Sequence, residues 1–343
     1  MQNKEYYNWI DILKGLGIIL VILGHLRVSH DLLNYIYLFH MPLFFFISGY
    51  LMDVEKYSSI NQLVKKKTKS LLVPYITFSI ISIICYSVFG EIDIDLSGTV
   101  LAFLEGKRNE IFYNVPLWFL LGLFVIEIMY FVFKKIIRNN IALLVLTILL
   151  NLIAVVVLKV IETPKWIWSI DTALYYLLYY QLGNLFKMYY SKINIKNTFN
   201  KMTIGIIVFL CVSFNLILLI SPDQIQFVYN YVNVKREFLF IWLMFCGITG
   251  IVTYVSLSMF IKKLEPLEYL GRNSLIIFTL HYPIGIWAVD MLKVHLQFNI
   301  INSNVLSIVQ LIFILLILKP IIKIINENFS MLLGKGKFLS NKR

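Results

Sequence analysis

The chain has 343 residues, 59% of them hydrophobic and only 15% charged, with a formal net charge of +12. That balance lies outside the range of soluble globular domains and identifies a polytopic membrane protein. The basic excess is not a nucleic-acid footprint, because the lysines and arginines fall in short clusters between apolar runs rather than on one face; no nucleic-acid partner is expected.

A spanning helix needs roughly 20 mostly apolar residues. Ten such runs follow one another, at about 9–27, 33–53, 70–90, 115–133, 140–158, 171–189, 203–221, 237–260, 273–292 and 304–325. They are continuously apolar, without the short alternating segments of outer-membrane strands, so an all-α bundle of about ten transmembrane helices is expected. One membrane domain takes in residues 1–343, with a basic tail over 326–343. The first run lacks a small-residue cleavage site and is read as a retained anchor rather than a signal peptide.

Placing the N-terminus in the cytoplasm assigns about 23 Lys and Arg residues to that side, including Lys56, Lys65, Lys66, Lys67 and Lys69, against about 8 outside. Both termini are therefore expected in the cytoplasm, in a cytoplasmic (inner) membrane. The longest outer connection, about 91–114, is mildly acidic through Glu91, Asp93, Asp95, Glu105 and Glu110. Cys85, Cys211 and Cys246 each lie inside an apolar run with no metal-type spacing, so neither a disulfide framework nor a metal is expected.

Ionisable side chains inside a span are costly and mark candidate sites. In the first run, LKGLGIILVILGH, Lys14 and His25 are eleven residues apart. On a 3.6-residue helix that is almost three turns, about 20° off one face and roughly 16 Å along the axis. A donor with an anionic head and a long arm, such as coenzyme A, would suit that stripe, its phosphates toward Lys14 and its thioester toward an imidazole able to take a proton. A snorkelling Lys14 paired with Asp11 is the plainer alternative. His25 is harder to assign to packing, since its own helix offers only the like-charged Arg27 nearby.

The second run carries FHMPLFFFISGY. Pro42 breaks the backbone ladder, and His40 lies at the outer end, near His25 if the first two helices form an antiparallel hairpin. Ser48 and Gly49 suit close helix packing. Trp118 in PLWFL is an interfacial aromatic, the favoured reading, or a cavity wall. Glu127, in mid-membrane, must be protonated or paired. In LGRNSLIIFTLHYPI, Arg272 suits phosphate binding or topology, and His281 suits a site or a packed, hydrogen-bonded core position. The KKKTKSLLVPY cluster anchors to anionic lipid and would attract an anionic donor.

These segments, in this order from residue 6 to about 290, resemble the membrane acyltransferase-3 family, most closely its fucose 4-O-acetylase-like branch. The resemblance implies transfer of an acetyl group from acetyl-CoA to a sugar hydroxyl of a cell-surface or lipid-linked polysaccharide. It carries the family's basic-residue and histidine motif onto Lys14 and His25; donor binding by Arg272 and a pocket role for His40, Trp118, Glu127 and His281 follow from where they lie. The basic position is often arginine; Lys14 keeps the charge but loses bidentate geometry. Some relatives carry a fused extracytoplasmic domain, so transfer is expected to finish here in the membrane domain or on a partner. The richness in Ile, Asn and Lys fits an AT-rich bacterial genome. A multipass transporter or flippase is the rival, though no symmetric halves are evident. A non-enzymatic scaffold would leave the intramembrane charges unexplained.

Overall fold

The computed structural model describes residues 8–89, 95–160, 166–190, 198–220, 236–296 and 303–335. Lys4, Glu91, Asp93, Lys165, Lys192, Lys196, Lys235 and the tail from residue 336 lie outside them. Every regular element among the described residues is helical. The long helices are α1 (Asn8–His25), α2 (His30–Leu51), α3 (Ile60–Lys67), α4 (Val73–Phe89), α5 (Leu96–Glu105), α6 (Trp118–Ile136) and α7 (Asn140–Leu152). They are followed by α8 (Ile170–Tyr190), α9 (Thr198–Ile220), α10 (Arg236–Ile261), α11 (Glu265–Arg272), α12 (Ser274–Leu280), α13 (Trp287–Leu296) and α14 (Ser303–Asn328).

Nine helical runs among the described residues are long and apolar enough to cross a membrane. They coincide with nine of the ten expected spans. The remaining one, at 171–189, forms the 21-residue α8, whose buried Asp171, Thr172, Gln181 and Asn184 make it less apolar than the others. Two spans are interrupted helices. A π-helical turn, Thr68–Leu72, joins α3 to α4, and another, His281–Ile286, joins α12 to α13. The connection at 91–114 holds a helix that the acidic pattern hid. Asp95 caps α5 by accepting from the Ser97 backbone N–H at 3.0 Å, and Gly106 ends it at φ 55°. The Ser97 hydroxyl, with backbone N–H groups, holds the Asp95 carboxyl below the usual carboxylate range.

The chain divides into two compact units. The first comprises residues 1–24, 28–52 and 179–274. In it α1 and α2 form an antiparallel hairpin: Trp9 meets Tyr50 edge-on at 5.1 Å, Gly17 faces Phe44, and the Tyr37 hydroxyl donates to the Gly24 carbonyl at 2.8 Å. α2 and α8 cross backbone to backbone. A Cβ on Gly49 would stand 1.9 Å from the Tyr180 carbonyl oxygen, and one on Gly183 would stand 2.0 Å from that of Phe46. With lipid as apolar as leucine, such close approach is what holds membrane helices together. Ser48 donates its hydroxyl to the Phe44 carbonyl at 2.9 Å, and Lys187 donates to the Met52 carbonyl at 2.9 Å, closing the C-terminal end of α2.

The second unit comprises residues 25–27, 53–178 and 275–343. The lysine cluster docks α3 on α6: Lys67 Nζ lies 2.7 Å from Glu127 Oε1, and Lys66 sits over the Tyr57 ring, which meets Phe131 edge-on. Glu127 is 3% exposed, so the expected choice between protonation and pairing is resolved as pairing. Farther along, Asn151 donates to the Tyr175 carbonyl, tying α7 to α8 at 2.5 Å.

Two expectations follow. Gly49→Ala or Gly183→Ala should force α2 from α8 and lower the melting point of the detergent-solubilised protein by the equivalent of about 1–3 kcal/mol. Gly205→Ala, where a Cβ meets nothing within 4 Å, should be neutral or gain about 1 kcal/mol from helix propensity. Equal losses at all three positions would show that the crossing is not tight. Likewise Lys67→Met or Glu127→Leu alone should cost about 3–5 kcal/mol by stranding a buried charge, whereas the double replacement should recover most of that loss. A double variant as unstable as either single one would refute the pairing.

Candidate active site

The site is built from the last turn of α1, which carries His25, and the interrupted stretch that carries His281. α12 stops after Leu280 because Pro283 has no N–H to offer the Thr279 carbonyl four residues back. That carbonyl is taken instead by Asn114, whose side-chain N–H₂ donates to Thr279 O at 2.8 Å and to Ser82 Oγ at 2.8 Å. Ser82 in turn donates to the Phe78 carbonyl of α4 at 2.6 Å. The turn just before PLWFL is thus tied to the break before HYP, and Phe119 meets Phe278 edge-on at 5.2 Å.

This break sets His281. Its ring is fully buried, and Nδ1 donates to the carbonyls of Ile277 at 3.1 Å and Phe278 at 2.8 Å. Carbonyls only accept, so the proton is held on Nδ1 and the Nε2 lone pair is left bare; Nε2 is buried with no hydrogen-bond partner. The ring of His25, on the last turn of α1, lies against it. The centroids are 5.3 Å apart with planes inclined by 43°, and Tyr282 meets His25 edge-on at 5.6 Å. Among the described residues the His25 nitrogens make no hydrogen bond, so the half-buried imidazole, in contact with two rings, is chemically uncommitted.

In the first unit α1 meets α11 at its other end. A Cβ on Gly15 would stand 2.2 Å from the Leu267 carbonyl oxygen, and one on Gly271 would stand 1.8 Å from that of Asp11. This antiparallel contact sets Lys14, beside Gly15, and Arg272, beside Gly271, at one helix crossing. Each has an acid on its own helix. Lys14 lies 3.9 Å from Asp11, and Arg272 lies 3.3 Å from Glu268, whose other oxygen accepts from the Leu264 N–H at 3.3 Å. The side chain of Arg272 is 44% exposed and that of Lys14 25%. Two cations at one crossing can hold an anionic group, and the i, i+3 acid that the plainer reading of Lys14 foresaw is also present.

The other expected residues are placed as follows. His40 is buried in the first unit, donating Nδ1–H to the Ile36 carbonyl at 2.8 Å and stacking on Tyr37 at 5.1 Å. Through Tyr37 and the Gly24 carbonyl it braces the end of α1 rather than presenting an open base. Trp118 is 6% exposed and stacked on Tyr176 at 6.1 Å, a buried wall inside the second unit. Glu127 is taken up by Lys67. Asn114 and Tyr282 were not foreseen. The signal for Asn114 was Pro283, since a proline in a buried helix leaves a carbonyl that some donor must meet. Among the described residues no group of three or more His, Cys, Asp or Glu could hold a metal ion.

A family model described as an acyltransferase domain matches residues 7–323, taking in Lys14, His25, Arg272 and His281. No curated protein and no solved structure matches the chain. With nearly its whole length covered by that match, the chain belongs to the membrane acyltransferase-3 family and is a multi-pass acyltransferase.

Proposed function

We propose that the protein is an O-acetyltransferase of the cytoplasmic membrane that moves an acetyl group from acetyl-CoA to a hydroxyl of a cell-surface or lipid-linked glycan, in the manner of the fucose 4-O-acetylase-like branch. The observation that carries this reading is the uncommitted imidazole of His25 on the same helix face as Lys14. The glycan hydroxyl oxygen attacks the thioester carbonyl carbon while its proton passes to His25. The new C–O bond forms, the C–S bond breaks, and His25 returns the proton to the departing thiolate, so that an ester and the free thiol result. Lys14 and Arg272 serve the donor's phosphates from the cytoplasmic side, where the basic connections concentrate. Direct attack is favoured over an acyl-enzyme because Ser48 spends its hydroxyl on the Phe44 carbonyl and the three thiols lie in apolar runs. Trp118 supplies apolar wall, and His40 and Glu127 act through Tyr37 and Lys67 rather than on the acceptor.

Incubating the purified protein with labelled acetyl-CoA and candidate glycans tests the reading directly. Label should appear in the glycan, and His25→Ala should cut turnover by about 10²–10⁴-fold at unchanged melting point. Full transfer by well-folded His25→Ala, or uptake of glycan into vesicles without modification, would overturn it. Lys14→Arg should keep most activity, whereas Lys14→Met should raise the KM for acetyl-CoA by tenfold or more and leave the glycan KM unchanged. A change confined to the glycan KM would remove Lys14 from the donor.

A further inference from the structure

We propose that His281 is a positioning residue: its bare Nε2 accepts a hydrogen bond from a ring N–H of His25, fixing His25 in the single tautomer whose other nitrogen faces the acceptor. The inference rests on the reading of His25 as the base and adds to it a partner on a distant helix.

The geometry supports this role from three sides. First, the proton on His281 has no freedom. Both acceptors of Nδ1 are main-chain carbonyls, exposed by the break at Pro283, and cannot donate in return. Neutral His281 can therefore only accept at Nε2. Second, Nε2 is a fully buried polar atom with no partner, an arrangement that is costly unless a donor meets it. The polar ring lying against it is His25, which is itself without hydrogen bonds among the described residues. Third, the spacing is right. Two imidazoles joined by a bond of about 2.9 Å between nitrogens have centroids roughly 5 Å apart, so the 5.3 Å separation here is that of a hydrogen-bonded pair.

The consequence is chemical. A neutral histidine has two tautomers, and only the one with a bare nitrogen toward the acceptor can serve as base. A donor-only demand from His281 selects it. When His25 takes the acceptor's proton, its N–H toward His281 becomes charge-assisted and strengthens in surroundings that screen little. The bond therefore tightens as charge develops, which is what lowers a barrier instead of merely binding substrate. No acid is needed behind His25, and among the described residues no carboxylate forms a hydrogen bond or ion pair with it.

The test combines kinetics with ¹⁵N NMR of histidine-labelled protein in nanodiscs, where only five histidines contribute and His25 is identified by loss of its signals in His25→Ala. In the resting protein His25 should show one tautomer. His281→Leu should return it to a mixture and lower kcat about 10- to 100-fold with both KM values unchanged. His281→Gln should restore the single tautomer and most of kcat, because its amide N–H₂ can reach the Ile277 or Phe278 carbonyl while its oxygen replaces Nε2. A tautomer mixture in the unmodified protein, or a single tautomer that survives in His281→Leu, would overturn the proposal, and the first of these needs no variant to fold. A rise in acceptor KM with kcat unchanged would also overturn it, assigning Nε2 to the glycan instead. The tautomer result is independent of turnover, so it stands or falls apart from the activity of His25→Ala.

Discussion

A backbone carbonyl that has lost its donor cannot be left bare in hydrocarbon, and the Thr279 carbonyl, deprived by Pro283, organises much of the second unit. Asn114 meets it and is held in turn by Ser82, so three segments far apart in sequence are pinned at one point. The same break lets the Ile277 and Phe278 carbonyls converge on one histidine nitrogen, since the turn that follows is π-helical and its ladder is out of step with the helix before it. The fixed tautomer of His281 is thus a backbone consequence of a proline two residues later. An alanine at 283 would restore the N–H, release Asn114 and remove the reason for the break.

The first unit is organised by absence of side chain. Gly15, Gly49, Gly183 and Gly271 each face a carbonyl oxygen at about 2 Å from where a Cβ would stand. The pairs are reciprocal, Gly15 with Leu267 and Gly271 with Asp11, and Gly49 with Tyr180 and Gly183 with Phe46, which is the signature of two antiparallel backbones in contact. Helices this close share dispersion contacts along several turns and leave little slack. That matters for Lys14, whose stem starts at such a crossing and whose reach is therefore set by the helices rather than by loops. α1 is also braced at its far end, where Tyr37 draws on the Gly24 carbonyl one residue before His25.

Much of this was legible in the sequence, for particular reasons. Apolar runs of spanning length report helices because the bilayer allows little else, and nine of ten were recovered along with a tenth helix of spanning length. Lys14 and His25 were visible as a stripe because both lie on one helix, where periodicity alone sets direction. Gly49 and the Asp11 partner of Lys14 were readable for the same local reason. The partners of Glu127 and His25 were not, since Lys67 and His281 are 60 and 256 residues away and no period connects them. α5 escaped notice because its capping Asp95 and terminating Gly106 sit in a stretch whose acidic residues suggested a loop. The burial of Trp118 depends on Tyr176 of another helix. Local chemistry was recoverable; convergence required the fold.

The two cations of the first unit differ in how freely they can turn to a donor. Asp11 and Glu268 each neutralise part of the charge that a phosphate would seek, so binding must compete with them. Glu268 is buried, and one of its oxygens accepts from the Leu264 N–H at the start of α11, so it stays where it is whether or not Arg272 leaves. Arg272 is the more exposed partner, but in swinging away it leaves the buried Glu268 carboxylate uncompensated, so a phosphate has to offset that cost. Lys14 lies farther from its acid, at 3.9 Å, yet it is less exposed, and a lysine presents its charge as a point rather than a fork. On the proposed donor role, a lysine at this position would shift the directional part of phosphate recognition onto Arg272 and leave Lys14 to supply field, a division of labour that an arginine at position 14 would not require.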